Sequence, residues 1–241
     1  MAQEVFLRAS SGTVLALGLP DEPRVSSYTT VARFVSKEFA RGLQVGPLGF
    51  QQAGNESLMP ARITDRFVVD GREVRVATGE QGVNASVALI DRYHEVVTIY
   101  GGPPPRREEV ISLFEQFSFE DSPEGMTILP RGDLALASEG VAVYVDGRGT
   151  VTVPSNANGW EMRPPFKGTP TRYGEVWRSE GQLPDREGRG ANTFVYILGT
   201  TQAIAEVIFP DTSEYHETPH PRVTDEELLD WLYELNPRWE R

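Results

Sequence analysis

Glu108-Glu109-Val110-Ile111-Ser112-Leu113-Phe114-Glu115-Gln116-Phe117 sets two acids ahead of apolar residues at 110, 113, 114 and 117, the spacing of one helix face. The pattern returns as Glu226-Glu227-Leu228-Leu229-Asp230-Trp231-Leu232-Tyr233-Glu234-Leu235, a constant shift of 118 (226 − 108). Acids in a first helical turn are favoured by the macrodipole, so these carboxylates need no catalytic explanation. The stripes Val110/Leu113/Phe114/Phe117 and Leu228/Trp231/Leu232/Leu235 each suit burial against one sheet face. A second half that re-uses the first predicts an α+β protein of two pseudo-repeated units, each an antiparallel sheet packed by one or two helices.

Working outward, each unit opens with a hairpin. Val5-Phe6-Leu7 and Thr13 to Leu17 flank Ala9-Ser10-Ser11-Gly12, while Gly140 to Val145 and Thr150 to Val153 flank Asp146-Gly147-Arg148-Gly149. Gly12-Thr13-Val14 matches Gly149-Thr150-Val151 at a shift of 137 (149 − 12). In the first unit, Val31, Phe34, Val35 and Phe39 stand at helical spacing between Ser27, a cap, and Gly42, a stop, which predicts a helix over Tyr28 to Arg41. Asp70-Gly71 between the β-rich runs Phe67 to Val69 and Arg72 to Val76 predicts a tight hairpin. Strands follow at Ala85 to Ile90 and Glu95 to Tyr100, with counterparts at Thr193 to Leu198 and Ala203 to Phe209, shifted by 108 (193 − 85). Loss of the Tyr28 to Arg41 helix from the second unit accounts for the drop from 137 to 108, and the longer loop Pro210 to Val223 restores 118.

Thr224 and Glu227 form a capping-box pattern for the closing helix, and Asn236-Pro237 ends it. Between the units, Asp121 to Gly132 carries Pro123, Gly125, Pro130 and Gly132. The expected division is 1–122 as first unit, 123–139 as linker and 140–241 as second unit. The polar run Gln182 to Gly190 is expected to be a mobile loop.

Composition narrows the function classes. At 241 residues, 39% hydrophobic, the chain has enough apolar surface for one large core or two modest ones. A net charge of −12 disfavours phosphate backbones and anionic lipid, so nucleic acid and membrane are not expected as partners. With no cysteine there are no disulfides, thiolate metal sites or thiol nucleophile. The opening residues lack a basic leader and no stretch approaches the roughly 18 apolar residues of a spanning helix, so a soluble, cytoplasmic protein is expected.

The order hairpin, helix, hairpin, strand, strand, helix, closing on Glu109 to Phe119, resembles the PsbP-like fold family over about residues 28 to 122 and, more faintly, 140 to 236. The resemblance implies antiparallel sheets packed by helices in proteins that mostly bind or scaffold; it transfers no site residues.

Signatures of chemistry are sparse. His216 and His220, with Asp211 and Glu214, have ligand-type side chains, but Pro219 interrupts the helix that would align the pair, and no metal or cofactor is expected. His94 stands in a predicted strand turn as a surface polar residue. No G-x-S-x-G elbow frames a serine, and Gly147-Arg148-Gly149 and Gly188-Arg189-Gly190 lack the strand-to-helix setting of a phosphate loop. Pro103-Pro104-Pro105-Arg106-Arg107 stiffens a strand-to-helix connection or presents a polyproline ligand. The richest cluster is Trp160, Met162, Pro164, Pro165, Phe166, Tyr173 and Trp177, where aromatic density serves a partner surface, a ligand cleft or added core cover. Trp160, Met162, Phe166, Tyr173 and Trp177 are therefore the candidate binding residues. The expected function is non-catalytic binding of a protein partner or apolar ligand, of the chaperone-like or toxin-neutralising class. The alternatives are an enzyme with an Asp, Glu or Tyr acid-base site in a cleft between the units, and a structural subunit of a larger assembly.

Overall fold

The structure, a computed structural model, describes residues 3–20, 24–155, 159–180, 194–208 and 225–240. Of the described residues, strands take 57% and helices 16%, and among them the α-helices are α1 (Phe50–Ser57), α2 (Arg107–Glu115) and α3 (Asp225–Glu234). The strands run β1 (Gln3–Arg8), β2 (Val14–Leu19), β3 (Val25–Val35), β4 (Ala40–Pro47), β5 (Ala61–Val69), β6 (Arg72–Gly79), β7 (Asn84–Ile90) and β8 (His94–Gly101). After α2 come β9 (Phe117–Ser122), β10 (Gly125–Pro130), β11 (Ala135–Val145), β12 (Gly149–Pro154), β13 (Thr169–Pro170), β14 (Gly174–Glu180), β15 (Phe194–Thr200) and β16 (Ile204–Ile208), and after α3 comes β17 (Asn236–Trp239). Twelve of them form one antiparallel sheet in the order β13-β14-β15-β16-β12-β11-β3-β4-β8-β7-β6-β5, beside a three-stranded sheet β1-β2-β17 and a ribbon β9-β10.

This overturns the expected fold class: the protein is mostly β around a twelve-stranded sheet, and it is not a pair of α+β units. The predicted helix over Tyr28 to Arg41 is a hairpin, with Thr30 opposite Val45 and Val35 opposite Ala40. Thr30, Ala32 and Phe34 are buried while Val31 and Arg33 are exposed, a period of two, and the β-branched residues from Val25 to Val35 suit the pleat. The stretch 123–139 holds β10 and the first residues of β11, and Met126 and Ile128 there are fully buried.

Two compact units can be delineated. The terminal unit comprises Met1–Leu7, Val14–Tyr28 and Gly140–Arg241; the central unit comprises Arg8–Thr13 and Thr29–Glu139. In the central unit, hairpin β3-β4 is followed by a meander β5 to β8 that returns to set β8 beside β4, with Gln44 opposite Val97. In the terminal unit, hairpin β11-β12 is followed by a meander β13 to β16 that returns to set β16 beside β12, with Thr152 opposite Glu206. Strand order therefore matches β11-β12 with β3-β4 and not with β1-β2, so no lost helix is needed to explain the spacing. After each meander the chain enters a helix and then one further strand. Thus β9 follows α2 and pairs with β10, whereas β17 follows α3 and pairs with β2, far earlier in the chain.

The central core lies between one sheet face and α2. Phe34, Leu43, Val74, Val87, Leu89 and Val96 meet Val110, Leu113 and Phe114 of the helix, and Phe117 packs edge-on to Phe34 at 4.9 Å. The Asp70-Gly71 turn is as predicted, with φ of 49° and 79°. Helix α1 differs in kind, because its buried residues are Gln51 and Asn55. Gln51 Nε2 donates to the carbonyls of Arg75 and Ser86, Ser86 Oγ donates to Asn55, and Glu95 accepts the amides of Gly49 and Gln51 at 2.8 and 2.9 Å. A buried carboxylate thus satisfies the free N–H groups at the helix start. In the terminal unit, Leu228, Trp231 and Leu232 of α3 are buried, as is Leu235 just beyond it.

Candidate functional site

The aromatic cluster of the terminal unit is built around Trp177 on β14. Its indole is 3% exposed and packs with Ile197 and Ile204, with Met162 and Val195 at the margin. The indole Nε1–H donates to the Phe166 carbonyl at 2.7 Å, and a Cβ placed on Gly168 would stand 2.8 Å from the ring. The segment after the short helical turn Trp160–Met162 is therefore pinned against the indole, and Pro164 and Pro165 restrict it further. On this stiffened segment Phe166 is 64% exposed, and Trp160, on the turn that leads into it, is 42% exposed, large apolar side chains left in water. The Arg163 guanidinium lies 5.5 Å from the Trp177 ring centre and bonds Glu175 at 3.2 Å. Tyr173 sits apart, on the turn before β14, where Arg172 stacks at 5.5 Å and bonds Glu234 at 2.7 Å. Of the five predicted binding residues, the structure gathers Met162, Phe166 and Trp177, places Trp160 at the head of the same segment, and leaves Tyr173 on the adjoining turn.

A second feature, in the central unit, went unread in the sequence. A cavity of about 240 Å³ opens where the Asp70-Gly71 turn meets the junction of α2 and β9, lined by Val69, Leu89, Phe114, Phe117 and Phe119, with Asp70, Arg72, Ser118 and Arg131 as its polar members. The Arg72 guanidinium is held at Nε by Asp91 and at Nη2 by the Phe119 carbonyl. Arg131 Nη1 donates to the Glu115 carbonyl at 3.3 Å. Arg131 stands directly after β10, in the stretch expected to be a linker.

The shifted carboxylates belong to surface pairs. Hydrogen bonds from Arg107 hold Asp65 below the usual carboxylate range, the Arg75 guanidinium does the same for Glu73, and the Arg106 backbone amide and side chain do so for Glu109. Burial pushes the Tyr100 phenol up, and the Arg41 guanidinium 4.2 Å from its ring opposes that shift. None of these groups has the raised carboxyl of a general acid. His94 is buried rather than a surface residue: its Nδ1 lies 2.7 Å from Asp121 Oδ1, and Asp121 Oδ2 accepts the Tyr93 amide at 2.7 Å. Among the described residues no group of three or more acidic or histidine side chains is arranged to hold a metal, and no helix is long and apolar enough to cross a membrane. His216, His220, Asp211 and Glu214, the run Gln182 to Gly190 and the Thr224 cap lie outside the described residues.

No family model, curated protein or solved structure matches this chain.

Proposed function

We propose that the protein is a non-catalytic binder that engages a protein partner through the Trp160 to Phe166 surface. The observation that carries this reading is a pair of exposed aromatic side chains, Phe166 on a backbone fixed on the Trp177 indole and Trp160 on the turn that leads into it. An anchor held in place before binding loses little conformational entropy on association, and Trp with neighbouring Arg is the composition that dominates interface energetics. Binding or scaffolding is also what the PsbP-like resemblance implies.

The test is quantitative co-purification with wild type and a Trp160→Ala/Phe166→Ala double variant, followed by calorimetry on any species retained. Both side chains are substantially exposed, so the variant is expected to keep the wild-type melting midpoint while losing at least 2 kcal/mol of binding, about the scale of a hot spot. A retained partner that binds the double variant equally well would place the interface elsewhere. Substrate turnover that survives the double substitution, with no partner retained by wild type, would favour an enzyme.

A further inference from the structure

We propose that α1 is a strap that opens as a unit over the central unit's sheet, latched by the Glu95 carboxylate, while strands β5 to β8 and the α2 core stay folded. The strap uses no residue of the proposed partner surface, so either reading can fail without the other.

Connectivity makes the opening possible. β4 ends at Pro47 and β5 starts at Ala61, so residues 48–60 cross from the middle of the sheet to its edge strand, over β8 and β7. No strand pairing uses that segment, and the apolar cluster shared by the sheet and α2 contains none of it. Lifting it therefore breaks neither. Val74, Val76, Val87, Leu89 and Val96 face α2, so by strand alternation Ala77, Ala88 and Val97 lie on the α1 face with Ser86 and Glu95. The apolar members of that floor are small side chains, and uncovering them exposes little apolar surface.

What holds the strap is polar. The Glu95 carboxylate, 1% exposed, takes both amides at the helix start, and Arg75 Nη1 stands 3.9 Å from it. One turn on, Gln51 Nε2 divides itself among the carbonyls of Arg75 and Ser86 and the Ser86 hydroxyl at 3.1 to 3.3 Å, and that hydroxyl reaches Asn55 at 2.9 Å. Phe50 is the helix's aromatic contact, half-buried, its ring filling the space that a Cβ on Gly46 would need. Leu48 and Leu58, at either end of the strap, are 54% and 73% exposed. A helix of eight residues is marginal in water by itself, so α1 keeps its form only while docked. Gly49, with φ of 89° and no atom within 4 Å of an added Cβ, supplies a pivot at the amino end. Elements with few buried apolar contacts are the first to open below global unfolding.

Hydrogen exchange on the full chain across a series of low urea concentrations tests the strap. Amides from Ala53 to Ser57 are expected to be protected at least a hundredfold less than the slowest amides of β7 and β8, and to respond weakly to urea because little surface is exposed. Glu95→Gln, which removes the latching charge, is expected to speed their exchange tenfold or more. Val110→Ala, which opens a cavity in the α2 core, is expected to speed the slowest amides of β7 and β8 tenfold or more while leaving those of α1 within twofold of wild type. Equal protection in α1 and the sheet, equal acceleration of both by Val110→Ala, or wild-type exchange of α1 in Glu95→Gln would each overturn the proposal. Should Glu95→Gln fail to fold, wild type and Val110→Ala decide between a separate strap and one cooperative unit.

Discussion

His94 and Asp121 are joined by a side-chain hydrogen bond of 2.7 Å, and among the described residues the other bond to that carboxylate comes from the Tyr93 backbone amide. Both side chains are buried, so each bond replaces water that the carboxylate has lost. Replacing His94 with Ala removes one of the two, and the expected cost is about 1.5–3 kcal/mol, the range for hydrogen bonds to charged groups. Urea unfolding should show it as a lower midpoint with an unchanged slope. His94→Asn, whose amide nitrogen falls near the position of Nδ1, should recover part of the loss; a midpoint equal to wild type in His94→Ala would show that the pair contributes nothing. The sequence placed His94 in a strand turn at the surface, whereas it opens β8 and is buried; its partner lies 27 positions downstream (121 − 94) in a stretch whose prolines and glycines read as a connector. Long-range partners of this kind leave no local trace. The same limit hid the cavity, whose lining is drawn from β5, β6, β7, α2 and β9 together with the residue after β10.

Elements with local instructions were legible. The Asp70-Gly71 turn, the strands β7 and β8 and the helices α2 and α3 all follow from spacing and turn chemistry close at hand. Gly71 has φ of 79°, a region where an added Cβ meets its own backbone. Gly71→Ala is accordingly expected to cost about 1–2 kcal/mol, read from chemical denaturation. A Cβ there would meet no neighbouring atom within 4 Å, so the loss would report backbone strain and not a clash. Among the elements that escaped are β3, β4, α1, β9, β10 and β17. β3 was misassigned because Val31, Phe34 and Val35 satisfy a helical spacing by accident while the buried set alternates. α1 was invisible for the opposite reason: its inward side chains are Gln51 and Asn55, so it has no apolar stripe to find, and its amino end is held by Glu95 on β8. A helix that rests on polar contacts cannot be found by hydrophobic periodicity.

At the scale of the whole molecule, strand recurrence was legible but its arrangement was not. The repeated text around Glu108 and Glu226 does mark equivalent places, each a helix between a four-stranded meander and one last strand. The sequence could not show that those last strands differ in where they find a partner: β9 pairs with the next strand in the chain, β17 with one near its beginning. A cut at residues 122/123 tests the arrangement directly. The piece 1–122 would keep β9 without β10, and the piece 123–241 would keep β17 without β2. Neither piece alone is expected to unfold cooperatively, whereas co-expression should restore a complex with a single transition, measured by circular dichroism and size exclusion. Two separately stable pieces would show that β2 and β10 are dispensable to the units they complete.

The pairing of Gly18 with Asn236 also has a consequence in time. A ribosome adds about 5–20 residues per second, so roughly 10–40 seconds separate the emergence of β2 from that of the strand that will cover it. During that interval Leu15 and Leu17, fully buried in the finished protein, face the cell with their intended neighbour not yet made. A nascent chain of this design depends on whatever shelters that segment in the meantime, and stalling before the codons of β17 would leave β2 without its neighbour.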